Sequence, residues 1–135
     1  MSTFINQYPL IIPFASILLA ECAKALIDVI GDRQKVRFIS TGGMPSGHSA
    51  FVAALVVVAA NKEGIGSMWF TVSAVLALIV MYDAVTLRRQ VGLHAKMLNQ
   101  IDKTALLDES VGHRLGEVVA GACFGALVAF GLLMV

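Results

Sequence analysis

Two short strings in this chain combine the residue types that phosphoryl transfer uses. Gly42-Gly43-Met44-Pro45-Ser46-Gly47-His48-Ser49 sets an imidazole and hydroxyls beside flexible glycines, just before an apolar helical run that begins at Ala50. The first backbone N–H groups of a helix are unpaired and carry partial positive charge, so this string is a candidate anion cradle with His48 in reach. The second string is Gly112-His113-Arg114-Leu115-Gly116-Glu117. His113 and Glu117 share one face of a helix, where the carboxylate can hold one ring nitrogen and leave the other lone pair free for attack. Alone, such a pair reads better as a surface ion pair at a helix end. Together, the two imidazoles could supply a nucleophile and a general acid, with nearby cations neutralising the phosphate oxygens and no metal required.

Cations are available. Arg88 and Arg89 follow Met81-Tyr82-Asp83-Ala84-Val85-Thr86-Leu87, and a guanidinium fork matches phosphate oxygens. Arginines after an apolar segment also serve as membrane anchors, so one ligand and one anchor is the balanced expectation. Asp83 is costly near a membrane unless paired, and Arg88 or His48 is its expected partner. Its role is structural or catalytic. Lys24 lies inside the first apolar run with Glu21 and Asp28, and reads as a phosphate ligand or as a neutralising partner of those carboxylates.

The elements that must position these residues are helices in a membrane. With 135 residues, 58% hydrophobic and 14% charged, and a mean hydropathy of +0.82, the chain departs from the mix of a soluble domain. One all-α domain over residues 1–135 is expected. Four segments read as spans: Leu10–Ile30, about Ser49–Ala60, about Ser67–Val85 with Trp69 at an interface, and about Leu115–Val135. Between the third and fourth, Leu87, Val91, Ala95, Leu98 and Ile101 recur at helical spacing, which predicts an interfacial helix whose stripe packs on the bundle. A net charge of +1 with no basic tail excludes nucleic acid as a partner. Cys22 and Cys123 sit in apolar runs without metal-ligand spacing. Residues Met1 to Gln7 lack the basic start of a cleavable signal peptide, so the N-terminus is expected to be retained.

Charge sets the expected topology. Arg33, Lys35 and Arg37 follow the first span, Arg88, Arg89, Lys96, Lys103 and Arg114 follow the third, and Lys62 alone marks the opposite loop. The positive-inside rule then places both rich loops, and with them His48 and His113, at the cytoplasmic face of the inner or plasma membrane, with both termini outside.

On three strings, the chain resembles the divergent type-2 phosphatidic acid phosphatase family, related to acid phosphatases and vanadium-dependent haloperoxidases. They are Gly42–Ala50, Val80–Ala84 with Arg88-Arg89 and Leu98-Asn99, and Gly112-His113 with Glu117-Val118 and Ala120-Gly121. The resemblance covers almost the whole chain. It implies that Ser46 and Gly47 bind phosphate, that His48 is the general acid, and that His113, oriented by Glu117, is the nucleophile of a metal-free phosphohistidine mechanism. Two family positions differ. Lys24 is followed seven residues on by Gly31-Asp32 in place of Arg-Pro, and Leu107 stands where an arginine precedes the nucleophile by six. Arg88 or Arg89 is the expected replacement. Four spans are fewer than the usual six, which leaves room for a homodimer to complete the bundle.

The expected function is therefore a lipid phosphatase acting on a phosphate monoester or pyrophosphate of phosphatidic acid, phosphatidylglycerol phosphate or a prenyl chain. Catalysis is assigned to His113, His48, Glu117 and Asp83, and phosphate binding to Lys24, Ser46, Gly47, Arg88 and Arg89. A transporter or binding protein for anionic lipids is the alternative, followed by a structural membrane subunit; a haloperoxidase is disfavoured.

Overall fold

The computed structural model describes residues 7–30 and 43–134. Arg33, Lys35 and Arg37, the Gly42 end of the cradle, the start of the N-terminal segment and Val135 lie outside the described residues. Among the described residues, five helices of fifteen residues or more follow one another: α1 Ile11–Ile30, α2 Gly47–Glu63, α3 Met68–Val85, α4 Leu87–Ile101 and α5 Leu115–Leu133. Among the described residues there is no strand.

Local chemistry fixes the helix ends. Ser46 caps α2, its hydroxyl accepting from the Ser49 N–H, and Ser67 caps α3 by accepting from Phe70 N–H at 3.1 Å. Gly64 closes α2 at φ +83°, a backbone region that side-chain-bearing residues rarely enter. Proline at position 13 is buried within the first turn of α1, where its missing N–H removes no helical bond.

α2 is the central helix and packs against α1, α3 and α5. Its approach to α5 is closest where α5 presents Gly121, Gly125 and Ala129, all buried and one turn apart. A Cβ on Gly121 would collide with the Ser46 carbonyl, and one on Gly125 with the Ala50 carbonyl. Small residues thus let two helix backbones meet directly, as in helix pairs packed within membranes. Below this contact, Ile12, Ala54, Val58 and Ala129 form the apolar core, and Phe14 meets Phe51 edge to face at 5.3 Å.

Among the described residues, two helical stretches are long and apolar enough to cross a membrane: α3 with its continuation into α4, and α5. α1 has the length, at 20 residues, but carries Glu21, Lys24 and Asp28; α2 has only 17 residues. α4 corrects one expectation. Its buried residues are Gly92 and Ala95, whereas Leu87 and Ile101 are 65% and 81% exposed. Of the apolar stripe, Ala95 packs inward while its larger members Leu87, Val91, Leu98 and Ile101 stay exposed. The contact falls on the small residues because Gly92 abuts the Val111 carbonyl so closely that a Cβ would not fit.

Candidate functional site

The two histidine strings meet at one end of the bundle. The Ser46 N–H donates to the Glu117 carbonyl at 3.1 Å, stitching the loop before α2 to the first turn of α5. Ser46 is buried, and its hydroxyl also accepts from the Ser49 hydroxyl at 3.0 Å. The close approach of α2 and α5 at Gly121 brings these backbones within bonding range.

His113 is only 4% exposed. Its backbone N–H donates to the Ala84 carbonyl at 3.0 Å, which ties it to the end of α3. Its Nδ1 lies 3.0 Å from Glu117 Oε2, and the same oxygen accepts the Arg114 N–H at 3.1 Å. Glu117 therefore orients the ring and caps α5 at once. An ionised carboxylate only accepts, so Nδ1 carries the proton and Nε2 keeps the lone pair.

His113 lines a cavity of about 280 Å³ whose wall includes Gly43, Arg89, Ser110, Arg114 and Glu117. Gly112 shapes it. At φ +99° its Cα side faces the Arg89 backbone, where a Cβ would lie 2.5 Å from the Arg89 Cα. Asn99 supports the wall through Glu109: its amide donates to the Leu107 carbonyl and to Glu109 Oε1, each at 2.9 Å, and its Oδ1 accepts the Leu107 N–H at 2.9 Å. Asn99 is a structural residue of the site that sequence reasoning passed over, although it stands in one of the strings that carry the resemblance.

The cations fall into two groups. Arg88 donates from Nε to Asp83 Oδ2 at 2.9 Å, so Asp83 holds a guanidinium. Lys24, 2% exposed, donates from Nζ to both Glu21 oxygens at 2.8 and 3.0 Å. Arg89 faces the cavity beside His113.

His48 stands exposed in the first turn of α2, two residues before the apolar run. Partial burial, then the charges of Arg88 and His113, and lastly Lys24, hold its imidazole below the ordinary value of 6.5, while Glu21 opposes them. His48 thus shares an electrostatic neighbourhood with residues from α1, α4 and the loop before α5. Among the described residues no three His, Cys, Asp or Glu side chains gather as metal ligands would.

Compared with known sequences, residues 5–128 match the profile described as the divergent PAP2 family. The chain belongs to that family. A curated relative within reach of this divergent PAP2 chain is an uncharacterized membrane protein, YuiD, from Bacillus subtilis strain 168, 33% identical with 95% of each chain covered. No solved structure matches. For a divergent PAP2 protein, the point of departure at Leu107 has a structural setting: Leu107 is bound through its backbone by Asn99, and the cavity wall carries two cations, Arg89 and Arg114.

Proposed function

We propose that this divergent PAP2 protein is a membrane-embedded lipid phosphatase working through a phosphohistidine. The observation that carries the reading is buried His113, its Nδ1 tied to Glu117, opening onto the same cavity as Arg89. The broad membrane setting is supported by the apolar helices and by large hydrophobic side chains exposed along the outward half of α3, including Val75, Leu78 and Ile79. Such a surface is untenable in water and ordinary in lipid. We count α1 and, from about Ser49 onward, α2 with the spans, which leaves His48 just outside. α1 buries Lys24 and Asp28 toward the bundle, and α2 is enclosed by three helices, so neither has to meet lipid on every side. The exposed stripe of α4 then lies along the membrane surface, with the histidines at headgroup depth on the cytoplasmic side.

In this mechanism, His113 Nε2 forms a bond to phosphorus as the bond from phosphorus to the lipid oxygen breaks. His48 gives that oxygen its proton. Arg89 neutralises the non-bridging oxygens, joined by Ser46 and Gly47 at the start of α2, while Arg88, fixed by Asp83, adds positive field. Water then attacks phosphorus, His48 takes back a proton, and the N–P bond breaks to release phosphate. Glu117 stabilises the charge on the His113 ring in both steps.

The test is phosphate release by the detergent-solubilised protein in EDTA from phosphatidic acid, phosphatidylglycerol phosphate and prenyl phosphates, alongside His113→Ala. Release by wild type alone supports the reading. A second reading, binding of anionic lipids without turnover, is favoured by one observation: Arg88 and Lys24 already hold carboxylates. It predicts lipid binding with no acid-labile phosphohistidine.

A further inference from the structure

Two glycines of the cradle each make room for one member of an ion pair on α1. A Cβ at Gly47 would lie 2.5 Å from Glu21 Oε1 and 3.3 Å from Ile17 Cγ1, and one at Gly43 would lie 3.4 Å from Lys24 Cδ. The Glu21 carboxylate therefore abuts the first turn of α2, and the stem of Lys24 runs beneath Gly43. This explains more than helix capping does. A fixed negative charge has been placed beside the very turn whose N–H groups would receive phosphate.

We propose that Glu21 is a positioning residue that holds Lys24 beneath the loop and acts as an internal counter-anion, sharing that cation with bound phosphate and so weakening its grip. The proposal rests on the phosphate-site reading above. A hydrolase that forms inorganic phosphate must let it go, and a site built only from cations and helix N–H groups would retain it. A unit charge some 6 Å away in protein surroundings changes anion affinity on the order of ten- to a hundredfold. The same carboxylate supports the protonated form of His48 against Arg88, His113 and Lys24, the other charges that act on it. Glu21 thereby favours both the proton that the leaving oxygen needs and the departure of the product.

The experiment is a titration of the full chain in detergent with inorganic phosphate, followed by ³¹P NMR, for wild type, Glu21→Gln and Glu21→Asp. Glu21→Gln is expected to bind phosphate about tenfold tighter and to move the basic limb of kcat/KM to lower pH. Glu21→Asp, which keeps the charge but draws it back from Gly47, is expected to bind two- to threefold tighter and covers the case in which Glu21→Gln does not fold. Loss of a merely structural ion pair would loosen the loop and weaken binding, so a gain of affinity separates the two roles. If wild type binds phosphate and the variants bind it equally or less well, the counter-anion role is overturned and the phosphate site stands. If none of the three binds phosphate, both are overturned.

Discussion

At the residue scale, Glu117 performs two tasks through one oxygen, holding His113 Nδ1 and the Arg114 N–H. Glu117→Gln retains an acceptor for the cap but removes the negative charge that stabilises the ring when phosphorus is attacked. Turnover should fall on the order of 10²-fold, the usual size of a lost acid–base contribution, with phosphate affinity changed by less than about threefold. Steady-state kinetics beside a phosphate titration would check both figures; equal losses in each would point to a collapsed loop. A second expectation concerns His48. As general acid it must be protonated, and its value is held below 6.5 in part by Arg88, so kcat/KM should decline as pH rises through a value below 6.5. Arg88→Gln removes a positive charge that disfavours imidazolium, raises that value, and should shift the basic limb toward higher pH. A profile that stays put, or moves down, would rule out His48 as the proton donor or Arg88 as its neighbour.

At the element scale, the decisive feature is the meeting of α2 with α5. Gly125→Val would drive a side chain into the Ala50 backbone, where nothing can yield without parting the helices. Overpacking of this kind costs about 1–3 kcal/mol, and here it would also pull Ser46 from Glu117. Lower melting temperature in detergent, read from Trp69 fluorescence, and reduced phosphate release should appear together. Gly131 is the control: a Cβ there meets nothing within 4 Å, so Gly131→Ala should leave activity intact and favour the helix by up to about 1 kcal/mol. Much of this level was readable in the sequence. The starts of α3 and α5 and the extent of α4 follow from a serine cap, a histidine string and a regular apolar spacing, because those signals are local. The burial of α4 was only partly readable, since an apolar stripe does not reveal that the contact will narrow to Ala95 and the neighbouring Gly92. Nor was the tight crossing of α2 and α5, because the value of Gly121 and Gly125 depends on a backbone seventy-five residues away in the chain.

At the scale of the whole molecule, the sequence brought His48 and His113 to one end through charge counting and span order, and the Ser46 to Glu117 bond joins their strings there. What it left open was which cations would be paired: spacing places Lys24 three residues from Glu21 and Arg88 five from Asp83, yet only the packing of loop on helix decides that Arg89 faces the cavity. Orientation in the membrane can be tested independently of any chemistry. The last turn of α2 and the link to α3 hold Lys62 alone among basic residues, whereas the segment from α4 to α5 holds several. In a background without Cys22 and Cys123, Asn61→Cys should react with a membrane-impermeant maleimide on intact cells, and Thr104→Cys only after permeabilisation. Both positions are exposed, and neither contributes to the site. The reverse pattern would place the histidines outside and require a substrate in the outer leaflet; labelling of both from one side would mean that α3 does not cross, and the four-span arrangement would fail with it.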